Sequence, residues 1–173
     1  MRRQLVAALP DQPDLREGRR WTRSEGWHLT LAFLGTVEDA RVPEVTAALE
    51  VAVAAQREAD HGPPPDTLRC RGVGRFGRRV LWVGIEDEPP GSLAALAGSI
   101  RERLTATGLR IDPKPLRAHL TLARAGRRPI SSELVEACQS LPTPSWRPAK
   151  VELWRSELGR GPARYRTEAT VPL

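Results

Sequence analysis

The chain has 173 residues, a formal net charge of +6 at pH 7 and a pI near 10.5. That length is sufficient for one compact unit or two small lobes with a real core. The positive charge favours an anionic partner, with nucleic acid ahead of a membrane surface. Because no stretch has the apolar length of a signal peptide or a membrane span, we expect a cytoplasmic protein with no membrane partner.

Two cysteines, Cys70 and Cys138, lie far apart and show no Cys-x-x-Cys spacing. This pattern indicates neither a disulfide framework nor a cysteine zinc site, and it fits a reducing compartment.

The first half of the chain predicts three strands and a helix, followed by a turn into a fourth strand. Arg2–Ala8 predicts a strand, and HLTLAFLG, residues 28–35, predicts a second because polar and apolar residues alternate. Apolar positions at helical spacing predict a helix from Val42 to about Glu58, with Pro43 in its first turn. TLRCRGVG and RRVLWVGI predict two strands joined near Gly77.

The second half predicts a second amphipathic helix that stops near Gly108, then a strand over RAHLTLAR. A short capped helix, SSELVEACQSL, and a terminal pair of strands, AKVELWRSEL and ARYRTEATV, follow. We therefore expect an α+β fold of two pseudo-symmetric lobes, each with a mainly antiparallel sheet and helices on its outer face. The whole chain, 1–173, forms one bilobal domain in this interpretation, with sequence halves of about 1–75 and 76–173.

The tetrapeptide His-Leu-Thr-Leu occurs twice, once in each half, although the chain has only three histidines. In a strand His28 and Thr30 share one face, and so do His119 and Thr121. If the leucine faces pack into two lobes, the two His-x-Thr faces can meet across an active-site cleft between them.

Two opposed imidazoles and two hydroxyls suit displacement at phosphorus, in which a neutral histidine accepts a proton and a protonated one donates. The threonines can donate to phosphate oxygens, and Arg124 adds a fixed positive charge. No metal is needed. A duplicated structural strand is the simplest alternative, and a zinc site lacks ligands because each strand supplies one.

Four stretches resemble the RNA 2',3'-cyclic phosphodiesterase, or 2'-5' RNA ligase, family of two-histidine phosphoesterases: RWTRSEGWHLTLAFLG, GVGRFGRRVLWVGI, AHLTLAR and VELWRSELGRGPARY. The resemblance extends over nearly the whole chain. The resemblance implies a bilobal α+β fold with a central cleft. It also implies hydrolysis of a terminal 2',3'-cyclic phosphate on RNA to a 2'-phosphate, with reversible 2'-5' ligation as a related reaction and with no metal or nucleotide cofactor.

Carried over to this sequence, the resemblance makes His28 the proton donor and His119 the proton acceptor. It makes Thr30, Thr121 and Arg124 the groups that bind the substrate phosphate. The family usually has a full helix between the first strand and the first motif, whereas DQPDLREGRRWTRSEG leaves room for at most one or two turns.

Other residues have weaker signals. Phe76 and Arg75 lie in a basic, aromatic turn that suits RNA contact, although a hydrophobic plug is an equal interpretation for Phe76. His61 lies in a breaker-rich loop and is assigned no role. The expected partners are RNA ends or 2',3'-cyclic nucleotides, bound by a monomer. The alternative functions are a non-catalytic, duplicated RNA-binding module and a two-histidine phosphodiesterase that opens another cyclic phosphate.

Overall fold

The structure, a computed structural model, describes residues 1–11, 13–56, 63–157 and 163–173. The helices are α1 Arg2–Ala8, α2 Pro13–Arg16, α3 Val42–Ala55, α4 Ser92–Ala106 and α5 Ser132–Ala137. The strands are β1 Arg19–Trp21, β2 Thr67–Phe76, β3 Val80–Glu88, β4 His119–Ala125, β5 Ser145–Trp146, β6 Lys150–Glu157 and β7 Arg164–Pro172. No helix in these described ranges is long and apolar enough to cross a membrane.

The chain divides into two compact units, and each takes segments from both sequence halves. The first unit comprises Met1–Leu29, Leu68–Glu86 and Ala118–Trp146, and the second comprises Thr30–Thr67, Asp87–Arg117 and Arg147–Leu173. The units therefore do not coincide with the halves 1–75 and 76–173. The arrangement of two lobes around a cleft stays a prediction.

The first unit is built on a five-stranded sheet in the order β1-β4-β3-β2-β5. The pairs β1–β4, β4–β3 and β2–β5 are antiparallel. One face of β3 and β4 is fully buried, because Leu81, Val83, Leu120 and Leu122 are at most 2% exposed. Ser131 is the N-cap of helix α5, and its Oγ accepts a hydrogen bond from the Leu134 amide.

The second unit combines two long helices with the antiparallel hairpin of β6 and β7. The core consists of the apolar stripes of α3 and α4 together with Leu109 and one valine from each strand: Val45, Leu49, Ala52, Val53, Leu96, Ile100, Leu104, Leu109, Val151 and Val171. Helix α4 ends just before Gly108, whose φ of 82° suits a residue without a side chain. The predicted mixture of helices and antiparallel sheet is confirmed.

Two of the predicted strands are wrong. Residues 2–8 form helix α1, because arginine, glutamine, leucine and alanine are good helix formers, and only Leu5 of this stretch is buried. A strand would need alternate residues buried and a neighbouring strand to pair with.

Residues 28–35, the other stretch, belong to neither sheet in the described part of the chain. Leu31, Ala32 and Leu34 all pack against the core of the second unit, whereas Phe33 is 70% exposed. The Leu31 carbonyl accepts a hydrogen bond of 3.0 Å from Arg101 Nε instead of pairing with a strand. Tertiary packing on helices therefore overrides the alternating pattern.

The remaining predicted elements are confirmed where the structure describes them. Helix α3 ends at Ala55. The last two residues of its predicted range, Arg57 and Glu58, lie outside the described residues, as does His61. Helix α2 is a single turn, in keeping with the short segment before the first motif. Strands β1 and β5 carry no sequence signal, because they have three and two residues.

Candidate active site

The second His-x-Thr motif lies on β4, between β1 and β3 of the five-stranded sheet. In the register with β3, His119 is opposite Gly84 and Thr121 is opposite Trp82. Because residues directly opposite one another in a sheet point to the same face, His119, Thr121 and Trp82 share a face. Leu120 lies opposite Val83 on the buried face.

A β-bulge extends this face to Arg124. The register with β3 shifts between Leu81 and Trp82, so that Ala123 pairs with Leu81, Thr121 pairs with Trp82, and Leu122 has no partner on β3. In a regular strand, residue 124 would point away from residue 119. The extra residue reverses that alternation and brings Arg124 onto the face of His119.

Two aromatic side chains surround the His119 imidazole. Phe76 meets it edge-on, with ring centroids 4.9 Å apart and an interplanar angle of 90°. Trp82 lies 6.5 Å from it and 5.4 Å from Phe76, again between ring centroids. Edge-to-face contacts of this kind hold a ring in one orientation. The structure thus gives Phe76 an intramolecular contact, and its predicted RNA contact stays a prediction.

Glycines on the neighbouring strands make room for this cluster. A Cβ on Gly74 would overlap the Trp82 indole, and a Cβ on Gly84 would lie 2.5 Å from the Arg71 carbonyl oxygen. The close approach of β2 and β3 beside His119 therefore requires these two residues to lack side chains.

The first motif histidine is oriented by its own backbone. His28 is half-buried, and its Nδ1 lies 2.8 Å from the Gly26 carbonyl oxygen at the end of a short 3₁₀ turn, Ser24–Gly26. Because a carbonyl oxygen only accepts, Nδ1 carries the proton in this contact. Nε2 is then the ring nitrogen suited to exchange a proton with a substrate. Trp27, 4% exposed, anchors the turn.

The second motif lies wholly in the first compact unit, whereas the first motif is divided between the two units. His28, His119, Thr121 and Arg124 belong to the first unit, whereas Thr30, an exposed residue, begins the second. The structure thus brings His119, Thr121 and Arg124 to one face of a sheet and holds His28 in the same unit. The roles assigned to these five residues stay predictions.

Arg75 is held by neighbouring protein groups. Its guanidinium donates to the Ile130 carbonyl oxygen at 2.8 Å and to Ser132 Oγ at 3.4 Å, which ties β2 to the start of α5. These contacts give Arg75 a structural task, and its predicted RNA contact stays a prediction.

Neither cysteine supplies a reactive thiolate. Cys70 and Cys138 are free thiols with no exposed surface, and burial raises the pKa of each to about 11. Both stay protonated near neutral pH and are poor nucleophiles. Within the ranges that the structure describes, no three histidine, cysteine or carboxylate side chains group as metal ligands.

Arg20 joins the same face from β1 but carries no motif signal in the sequence. It lies directly opposite Arg124 in the β1–β4 register. Its guanidinium donates to the Ala125 carbonyl oxygen at 3.2 Å. Only its place just before the first motif, in RRWTRSEGWHLTL, could have drawn attention to it.

The family model of the 2'-5' RNA ligase superfamily matches residues 14–160 of this chain. Two curated relatives are similar over most of the chain, and both are named RNA 2',3'-cyclic phosphodiesterase. The protein from Geobacillus stearothermophilus is 32% identical over 163 residues, 90% of this chain and 48% of its own length. The protein from Escherichia coli K12 is 32% identical over 154 residues, 86% of this chain and 77% of its own length. This chain thus spans about half of the first relative.

Two solved structures have a similar fold over 99% of this chain. LigT of E. coli, crystallised with 3'-AMP, has a TM-score of 0.72 and 26% identity, and 90% of that chain is covered. TT0787 of Thermus thermophilus has a TM-score of 0.73 and 26% identity, and 91% of that chain is covered.

Proposed function

Because this chain belongs to the 2'-5' RNA ligase superfamily, we propose that it hydrolyses the 2',3'-cyclic phosphate at the end of an RNA strand and leaves a 2'-phosphate. The observation that carries the proposal is the pair of intact His-x-Thr motifs, of which the second shares one sheet face with Arg124. The names of the two curated relatives support the substrate class.

The reaction is an in-line displacement at phosphorus. A water molecule attacks the cyclic phosphate, and His119 takes the proton that this water loses. The bond between phosphorus and the 3' oxygen breaks, and His28 donates a proton from Nε2 to that oxygen. The products are a 3'-hydroxyl and a 2'-phosphate, and a proton exchange with solvent restores both histidines.

The surroundings of each histidine suit its role. Phe76 and Trp82 fix the plane of the His119 ring, so its accepting nitrogen keeps one direction as water approaches. The Gly26 carbonyl oxygen occupies Nδ1 of His28 and leaves the donation to Nε2.

The phosphate is bound by hydroxyls and a guanidinium. Thr30 and Thr121 donate to non-bridging oxygens, and Arg124 balances the negative charge that grows on them in the transition state. Ligation is the same displacement with an RNA 5'-hydroxyl as the nucleophile in place of water: the bond between phosphorus and the 3' oxygen breaks, a 2'-5' phosphodiester forms, and the same groups are used.

The test is product analysis after reaction with an oligonucleotide that ends in a 2',3'-cyclic phosphate. We expect a 2'-phosphate as the sole product. A double variant, His28→Ala with His119→Ala, is the control for contaminating nucleases. An exclusive 3'-phosphate product would contradict the assignment of the leaving oxygen, and binding of the oligonucleotide without turnover would favour the RNA-binding module.

A further inference from the structure

Two arginines face each other across adjacent strands on the face that carries His119. Arg20 of β1 and Arg124 of β4 are directly paired in antiparallel register. Like charges directly opposite one another on paired strands destabilise a sheet. The charge of Arg20 therefore does not stabilise this strand pair.

No acidic side chain in the described part of the chain neutralises this pair. The ion pairs of the described residues involve neither Arg20 nor Arg124, and Arg20 is exposed to solvent. Its hydrogen bond to the Ala125 carbonyl oxygen, at 3.2 Å, leaves most of its five N–H donors for another acceptor.

The neighbouring residue provides an internal contrast. Arg19 donates to three backbone carbonyl oxygens, those of Asp14, Leu15 and Pro129, at 2.9–3.2 Å. These bonds tie β1 to the segments around it, so Arg19 has a structural reason to be arginine. Arg20, next to it on the opposite face of the strand, has no comparable set of contacts among the described residues.

We propose that Arg20 binds the RNA phosphodiester group on the 5' side of the terminal nucleotide, and so selects RNA strands over mononucleotides. The inference rests on the proposed function, which puts the cyclic phosphate at His119, Thr121 and Arg124. These three residues lie in this order along one face of β4. Arg20 lies on the neighbouring strand β1, which pairs with β4 on the edge opposite to β3. A guanidinium fork suits a phosphate at that position.

The experiment compares two substrates in the wild type and in Arg20→Gln. One is a 2',3'-cyclic mononucleotide, which lacks the upstream phosphate, and the other is a trinucleotide with the same cyclic end. We expect the ratio of kcat/KM for the trinucleotide to that for the mononucleotide to fall by on the order of fivefold in the variant. The thermal midpoint should stay the same or rise, because a like-charge pair is removed.

Binding provides a second readout that needs no turnover. The affinity for a fluorescent trinucleotide that ends in a 2'-phosphate should weaken in Arg20→Gln. The slope of log Kd against log salt should fall by about 0.7, as expected for the loss of one phosphate contact to a single strand. Arg103→Gln, which removes an exposed arginine from the last turn of α4, is the matched control and should change neither ratio nor slope.

Three results would overturn the subsite. Equal losses on both substrates would place Arg20 at the terminal phosphate or in the fold, and an unchanged ratio and slope would leave it without a ligand. Equal effects in Arg103→Gln would reduce the effect to net charge. A wild-type protein that opens neither the cyclic mononucleotide nor the cyclic trinucleotide would contradict the proposed function, whereas the binding slope would still decide on Arg20.

Discussion

The two copies of His-Leu-Thr-Leu have the same sequence and different structures. The second copy begins β4 in the five-stranded sheet, with pairing partners on both sides of the strand. The first copy follows a 3₁₀ turn, belongs to neither sheet in the described residues, and passes from one compact unit to the other between Leu29 and Thr30. Four identical residues thus do not determine their own secondary structure.

Their neighbours account for the difference. The second copy pairs with β3, and the strand that it begins pairs with β1 from Ala123 onward. In the first copy the Leu31 carbonyl oxygen instead accepts a hydrogen bond from Arg101 of α4. The imidazole of each histidine is nevertheless oriented, in His119 by aromatic rings and in His28 by the Gly26 carbonyl oxygen. Equivalent chemistry is expected from two different supports.

The largest expected effect is the loss of activity on substitution of either motif histidine, compared with substitution of the third histidine, His61. His28→Ala and His119→Ala should each lower kcat/KM for an oligonucleotide with a cyclic phosphate end by about 10²- to 10⁴-fold, because each removes a proton-transfer group. His61→Ala should leave the rate unchanged and serves as the control. Full activity in either motif variant would show that the copies are not equivalent in chemistry.

A substitution at a glycine of β2 should disturb the surroundings of His119 in the second copy and leave the first copy unaffected. Gly74→Ala places a methyl group into the Trp82 indole, which must shift away from its place beside His119. We expect a loss of about 1–3 kcal/mol in the free energy of unfolding, together with reduced kcat/KM. Urea unfolding and steady-state kinetics measure both.

The matched control for that change is the same substitution in a helix. A Cβ on Gly98 of α4 would meet no atom within 4 Å outside its own helical turn, so Gly98→Ala should stabilise the protein by about 0.5–1 kcal/mol. If Gly74→Ala were equally harmless, the close packing of Trp82 would not position His119.

Substitution of each motif threonine tests whether the two copies contribute equally to the proposed phosphate binding. Thr121 is half-buried on β4, whereas Thr30 is exposed. Thr121→Val should cost on the order of tenfold in kcat/KM, and Thr30→Val on the order of threefold, because water can partly replace an exposed hydroxyl. Thr170→Val, at an exposed position of β7, is the control. A larger loss for Thr30→Val would reverse this order.

The smallest expected effect is none at all. Excess EDTA should leave the rate unchanged, because the proposed mechanism uses only proton transfer, hydroxyls and a guanidinium. A loss of activity that only zinc or manganese restores would contradict this account of both copies.

Much of the fold can be predicted from the sequence, because most elements carry a regular pattern of their own. Helices α3 and α4 repeat apolar residues at helical spacing, and α5 has a serine at its N-cap. The alternation that wrongly predicts a strand at residues 28–35 is the same one that identifies β4 correctly. Alternation shows which residues are able to share a face, but the presence of a pairing partner depends on distant segments.

The site is predictable only in part for a related reason. The motifs identify the histidines and threonines, but residue 124 has the wrong parity for the face of His119 unless the strand contains a bulge. A bulge depends on the register with β3, which no local pattern records. Arg20 is hidden in the same way, since its neighbour is Arg124 of a distant strand.

The division of labour between the two copies is tested most directly with a p-nitrophenyl phosphodiester, whose leaving group needs no proton. On this substrate the His28→Ala variant should recover most of the wild-type rate, whereas His119→Ala should remain slower by about 10²-fold or more, because water still requires a base. The comparison uses kcat/KM of both variants on the activated and the natural substrate. Recovery of His119→Ala without recovery of His28→Ala would contradict the account, because it would make His119 the acid and His28 the base.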